Sequence, residues 1–175
     1  MAQQLPLISN LRSLPEDAQA SALDLLFEPS PAIHSTLVPV IQAASYSSYS
    51  ELIDQCRGAL FDLAATSTPS NPNPKLLSVV GSHPRLGAKK VDSAQSAAEQ
   101  ANLQGEGQQL AELNQEYEKK FPGLRFVVFV NGRGRPEIMQ DMRGRIDQAD
   151  FSKEIYTALQ AMCDIAKDRV SKLLK

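Results

Sequence analysis

The chain has 175 residues, of which 42% are hydrophobic and 22% charged, proportions that suit one ordinary buried core and not a disordered tail. Its 18 lysines and arginines face 20 aspartates and glutamates, a formal charge of -2, which excludes the broadly basic footprint that duplex nucleic acid needs. No apolar run approaches the roughly 20 residues that span a bilayer; the longest, Phe126 to Val130, has five. Met1 to Leu11 lack a basic start, an apolar stretch and a small-residue cleavage site, so no secretory signal is expected. Cys56 and Cys163 fall in helix-like stretches with no CxxC or Cys/His cluster nearby. They read as reduced, buried thiols and not as zinc ligands. The expectation is an intracellular, soluble chain forming one domain over residues 1–175.

Most of the sequence reads as helix. Ser13-x-x-Glu16 has the form of a capping box, with Pro15 in the first turn, opening an amphipathic stretch through Ala22, Leu23, Leu26 and Phe27. Pro29 and Pro31 end it. A second segment, Ala32 to Ala44, is interrupted at Pro39, which predicts a kink or break. Ser48-x-x-Glu51 caps a third helix, whose apolar face is Leu52, Ile53, Cys56, Ala59, Leu60 and Leu63. The polar, proline-rich run from Thr66 to Pro74 is a surface loop. A short apolar stretch follows, Lys75 to Gly81, and then Ser82-His83-Pro84-Arg85-Leu86-Gly87.

Further helices are predicted over Ser93 to Leu103 and about Gln108 to Lys120, the second with Leu110, Leu113 and Tyr117 on one face. Arg125 to Val130 has strand propensity, but a lone strand has nothing to pair with. It is therefore expected as buried extended chain or a buried helix start. The last and longest helix runs from Phe151 to Leu174. No internal repeat and no long heptad run occurs. The fold class is all-α, a single-domain helical bundle.

Three features suggest chemistry. His83 lies just beyond a helix end and before Pro84, which pushes it into extended conformation. A helix C-terminus favours a protonated imidazole, suited to proton donation; the alternative is a surface turn histidine. Ser96-Ala97-Ala98-Glu99-Gln100 reads equally as a capping box or as a site, since Asp92 or Ser93 already offers an N-cap upstream. Arg169 falls on the apolar seam Ile155, Leu159, Met162, Ala166, Leu173 of the last helix. A buried guanidinium there requires a carboxylate or an anionic substrate; otherwise Val170 carries the seam and Arg169 snorkels to water. Arg133, Arg135, Arg143 and Arg145 lack interleaved aromatics and read as a solvated turn and helix. No phosphate-binding loop, nucleophile elbow or zinc motif occurs.

In order along the chain, several elements resemble one family. They are Gly81-Ser82-His83-Pro84-Arg85-Leu86-Gly87, Ser96-x-x-Glu99-Gln100, Leu113-Asn114-x-x-Tyr117-x-x-Lys120-Phe121 and Phe126-Val127-Val128-Phe129-Val130-x-Gly132-Arg133. The family is 2-oxo-4-hydroxy-4-carboxy-5-ureidoimidazoline (OHCU) decarboxylase, the last enzyme of the route from urate to (S)-allantoin. Leu14-Pro15 and Leu26-Phe27-Glu28-Pro29-Ser30-Pro31 are similar to its opening, and Glu154 to Arg169 to its final helix. The resemblance implies an all-helical homodimer without cofactor or metal, acting on the small molecule OHCU. It implies His83, Glu99 and Arg169 as catalytic residues. Pro84, Ser96, Ala97, Ala98, Glu99, Gln100, Phe126, Val127, Val128, Phe129 and Val130 would form the substrate site.

This chain departs from the family pattern in carrying Arg85 where many members have Asp. Some members end in the peroxisomal tripeptide Ser-Lys-Leu, whereas here Ser171-Lys172-Leu173 is internal; the cytoplasm is expected, with the peroxisome as second choice. Rival readings are a non-catalytic helical module that binds a purine-derived heterocycle or a protein partner, and the preceding hydrolase of the pathway. The hydrolase would need a repeated-sheet pattern that the sequence lacks.

Overall fold

The two S-x-x-E patterns near the start of the chain behave differently in the computed structural model, which describes residues 4–86, 94–99 and 107–174. Ser48 accepts a hydrogen bond from the Glu51 amide at 3.1 Å. Glu51 reaches back to accept from the Ser47 amide and hydroxyl, both at 2.7 Å. That box opens the helix as expected. Ser13 caps nothing: its hydroxyl donates to the Asn10 carbonyl at 2.9 Å, and the helix begins at Glu16, after Pro15 with ψ 153°. The reason lies upstream, in a short helix the sequence did not announce, Ile8–Leu11. Its open carbonyls draw donors, among them the buried Gln19 amide, which bonds Leu11 O at 3.2 Å and Arg12 O at 3.0 Å.

Among the described residues the chain forms helices and no strand. They are α1 (Ile8–Leu11), α2 (Glu16–Leu26), α3 (Pro31–Ala43), α4 (Tyr49–Ala65), α5 (Pro74–Val80), α6 (Ala94–Glu99), α7 (Gly107–Lys120), α8 (Arg135–Gln148) and α9 (Phe151–Leu173). The all-α expectation holds. The break expected at Pro39 does not occur, because α3 runs through it. Pro39 is exposed, as is Ser35 four residues earlier, so the carbonyl that loses its partner faces water. The loop at 66–74 is mostly exposed, and its end caps the next helix: Asn73 Oδ1 accepts from the Lys75 amide at 2.9 Å, with Pro74 at the first helical position. The helix expected over Ser93 to Leu103 is described only at Ala94–Glu99.

The long helix α9 packs against α4, α2 and α5, while α3 rests on α2, α4 and α5; α7 pairs with α8. The α9 seam is buried at Ile155, Leu159, Met162, Ala166 and Arg169. Cys56 and Cys163 are free and buried, as expected. Residues 124–130 form neither helix nor strand, and Phe126, Val127, Val128 and Val130 are buried. No helix among the described residues is long and apolar enough to cross a membrane.

The arginine group needs correction at one position. Arg143 is exposed and pairs with Glu116 of α7, but Arg145 is buried against Glu154 of α9. The sequence pattern missed this because Glu154 reads as an ordinary first-turn acid of α9. For the two capping patterns, Ser48→Ala is expected to cost about 1 kcal/mol in urea unfolding and Ser13→Ala only a few tenths. Equal losses would mean that Ser13 caps α2 in solution.

Candidate active site

The segment between α2 and α3 delivers a carboxylate into the core. Phe27 ends α2, and Glu28 follows before Pro29 and the α3 N-cap Ser30. Glu28 is 3% exposed. A charge there needs close partners, and α9 supplies the main one. Arg169 Nη2 donates to Glu28 Oε1 at 3.0 Å, to Ser96 Oγ at 3.1 Å and to Glu99 Oε1 at 2.8 Å. Its Nε donates to Glu99 Oε2 at 3.1 Å, and its Nη1 donates to the carbonyls of Leu26 and Phe27. Ser96 also donates to Glu28. One guanidinium thus ties α2, the α2–α3 linker, α6 and α9 together. Burial works against the Arg169 charge, but Glu99 and Glu28 outweigh it and hold its pKa above the ordinary value.

His83 reaches the same place from α5. Gly81 ends that helix with its amide on Leu77 O at 2.8 Å, and Arg125 Nη1 fixes the His83 carbonyl at 3.2 Å. The imidazole is buried, with Nδ1 4.0 Å from Glu28 Oε1. Nε2 is buried without a hydrogen-bond partner among the described residues. The sequence leaves the charge state of this ring open, and enclosure bears on it. Burial, and then the Arg169 charge, push its pKa down to about 3, so the imidazole is neutral near pH 7. Enclosure outweighs the end of a seven-residue helix. The tautomer that suits this setting carries hydrogen on Nδ1, facing Glu28, and leaves the Nε2 lone pair free.

Beside this cluster is a cavity of about 350 Å³, walled by His83, Pro84, Ser96, Ala98, Glu99 and Phe126 to Val130, among others. That volume suits a small heterocycle. The predicted residues fall out as follows. Arg169 is 2% exposed and does not snorkel to water; it stands behind Glu99 and Ser96. Ala97 is exposed and is not part of the cavity wall. Gln100 lies outside the described residues. Arg85 turns away from the cavity and grips Glu118 with two bonds of 2.8 Å.

Sequence reasoning passed over Glu28, Ile165, Asp168 and Lys172. The first sits among prolines and gives no periodic signal. The last two line the cavity mouth as an i,i+4 pair at 2.7 Å, a spacing common on any solvated helix. A larger hollow beside α7 has the exposed Arg85–Glu118 pair as its main polar feature, and no buried titratable side chain lines it among the described residues.

Two expectations follow from this geometry. Arg169→Met strands two carboxylates and should cost about 3–5 kcal/mol in urea unfolding; a loss below about 1 kcal/mol would contradict the hub. For His83, the folded pKa lies below the unfolded value of about 6.5, so the folded chain binds fewer protons and stability falls as pH drops through that region. Between about pH 6.5 and 5 the wild type should lose up to about 1.4 kcal/mol per pH unit more than His83→Gln. Parallel slopes would mean that the ring takes up its proton over the same pH range in the folded and unfolded chains.

Comparison with known proteins agrees with the sequence resemblance. The family described as OHCU decarboxylase has a model that matches residues 12–171. The chain is also similar to the "Uric acid degradation bifunctional protein PucL" of Bacillus subtilis (strain 168), with 31% identity over 104 residues. That match covers 56% of this chain and 21% of the relative, so the chain spans about a fifth of its length.

Proposed function

The chain belongs to the OHCU decarboxylase family, and on that premise we propose that it converts OHCU to (S)-allantoin and carbon dioxide without a cofactor. The observation that carries the reading is the buried, neutral His83, which lines a small cavity next to the Glu28–Arg169–Glu99 cluster and whose Nε2 has no hydrogen-bond partner among the described residues.

The substrate supplies its own electron sink. Its carboxylate sits on a carbon that bears a hydroxyl and adjoins a ring C=N bond. When the carbon–carboxylate bond breaks, its electron pair forms a carbon–carbon double bond and the imine electrons move to nitrogen, which takes a proton from solvent. The enol that remains becomes allantoin when the hydroxyl loses its proton and the neighbouring carbon gains one. A neutral imidazole suits both halves: Nε2 accepts the hydroxyl proton and returns it to that carbon on the face it borders. Glu28 faces the Nδ1 hydrogen and stabilises the transient imidazolium. Glu99, with its side chain 18% exposed, is the more exposed of the two carboxylates on Arg169 and orients the hydroxyl. Arg169 acts through both carboxylates, since all three of its nitrogens already bond protein groups. The backbone of Phe126 to Val130 holds the heterocycle in register.

The uncatalysed reaction gives racemic product, so handedness is the signature. Freshly generated urate-oxidation product, hydrolysed to OHCU, is followed by circular dichroism. Wild type should yield (S)-allantoin faster than the blank, and His83→Gln should lose about 100-fold or more of that rate while staying helical. Racemic product at the blank rate with wild type would overturn the reading. A fully active His83→Gln would remove the imidazole from the mechanism.

A further inference from the structure

A second buried ion pair lies under the segment 124–130, and the reaction as described above does not use it. Arg145 Nε donates to Glu154 Oε1 at 2.9 Å and to Oε2 at 3.1 Å, and its Nη2 also bonds Glu154. Tyr117 donates its hydroxyl to the same carboxylate. The free end of the fork, Nη1, donates to the carbonyl of Val127 at 2.9 Å. The guanidinium carbon sits 4.3 Å from the centre of the Phe126 ring, which in turn meets Tyr117 edge-on at 5.4 Å. Two residues further on, Arg133 Nη2 donates to the Phe129 carbonyl at 2.6 Å.

Arg145 and Arg133 line a hollow that shares Val128 and Phe129 with the cavity, and neither arginine lines the cavity itself. Arg145 thus holds the Val127 carbonyl, and Arg133 those of Phe129 and Val130, each from outside the cavity that these backbone residues line. Residues 124–130 have no strand partner among the described residues to fix their orientation.

We propose that Arg145, anchored by Glu154, is a positioning residue for the reaction: it holds Val127 from behind and so sets the register of the backbone that receives the substrate ring. The proposal rests on the reading that this backbone binds the heterocycle. A purely stabilising role explains the pair poorly. Desolvating two charges is expensive, and well-packed apolar side chains in place of a buried pair are often neutral or stabilising. What an apolar pair cannot do is bond the Val127 carbonyl and choose which way the peptide faces.

The double variant Arg145→Met with Glu154→Leu removes both charges together and leaves neither stranded. Its thermal midpoint should stay within a few degrees of wild type. Its KM should rise about tenfold or more with a smaller change in kcat, and its allantoin should lose enantiomeric purity because the ring settles in more than one register. Should the double variant fail to fold, Arg145→Lys takes its place, keeping a charge opposite Glu154 without the fork that reaches Val127; the same kinetic shifts are expected. A folded variant with wild-type KM and enantiomeric purity overturns the proposal.

Amide resonances of Val127 to Val130 in the substrate-free proteins give a readout independent of turnover. They should shift or broaden in Arg145→Lys, and unchanged amides overturn the proposal even if wild type proves to catalyse nothing. Wild type without stereoselective turnover is the separate outcome that removes the decarboxylase reading.

Discussion

A guanidinium that is 2% exposed can persist only if every face of it is answered, and Arg169 is answered by two carboxylates, a hydroxyl and two carbonyls. Those groups come from the end of α2, the linker after it, and α6, while the arginine itself rides on α9. Removing any one of them leaves a buried charge or dipole unpaired, so the network selects a single arrangement of these elements. The site is thus a by-product of satisfying one buried cation. Glu28 and Glu99 are where they are because Arg169 requires them.

That arrangement also sets the chemistry of the imidazole. A histidine beside a carboxylate ordinarily gains a proton, yet Glu28 already spends its charge on Arg169 and Ser96 and stands 4.0 Å from Nδ1. Enclosure and the nearby arginine then dominate, and the ring stays neutral. Neutrality leaves one nitrogen with a lone pair, which is what a group that both takes and returns a proton needs. Behind the backbone that lines the same cavity, Arg145 and Glu154 repeat the device with a backbone carbonyl as the third member. Two buried arginines thus frame one small space, one organising side chains and the other organising main chain.

Much of this was legible in the residues. The seam spacing of α9 put Arg169 among apolar positions, and a charge on such a seam already implied a partner. Ser48 and Glu51 announced a helix start that the structure contains. That Phe126 to Val130 would be buried without forming a paired strand followed from the lack of a second strand candidate. What escaped had no local signal. Glu28 and Arg145 become special only through residues that are 141 and 9 positions away respectively. Ser13 satisfied the capping pattern but lost its role to a preceding turn of helix. The charge state of His83 was not readable from the sequence, because a helix terminus is visible there and enclosure is not.

The central claim is that Arg169 and Glu28 hold a neutral imidazole with its hydrogen on Nδ1 and its lone pair on Nε2. Nitrogen-15 spectroscopy of the histidine rings of the folded protein at neutral pH tests it most directly. The account predicts that His83 gives one protonated nitrogen, Nδ1, and one bare nitrogen, Nε2, and keeps that pattern as the solution is acidified past the ordinary histidine midpoint. An imidazolium at neutral pH, or a ring with its hydrogen on Nε2, would contradict it.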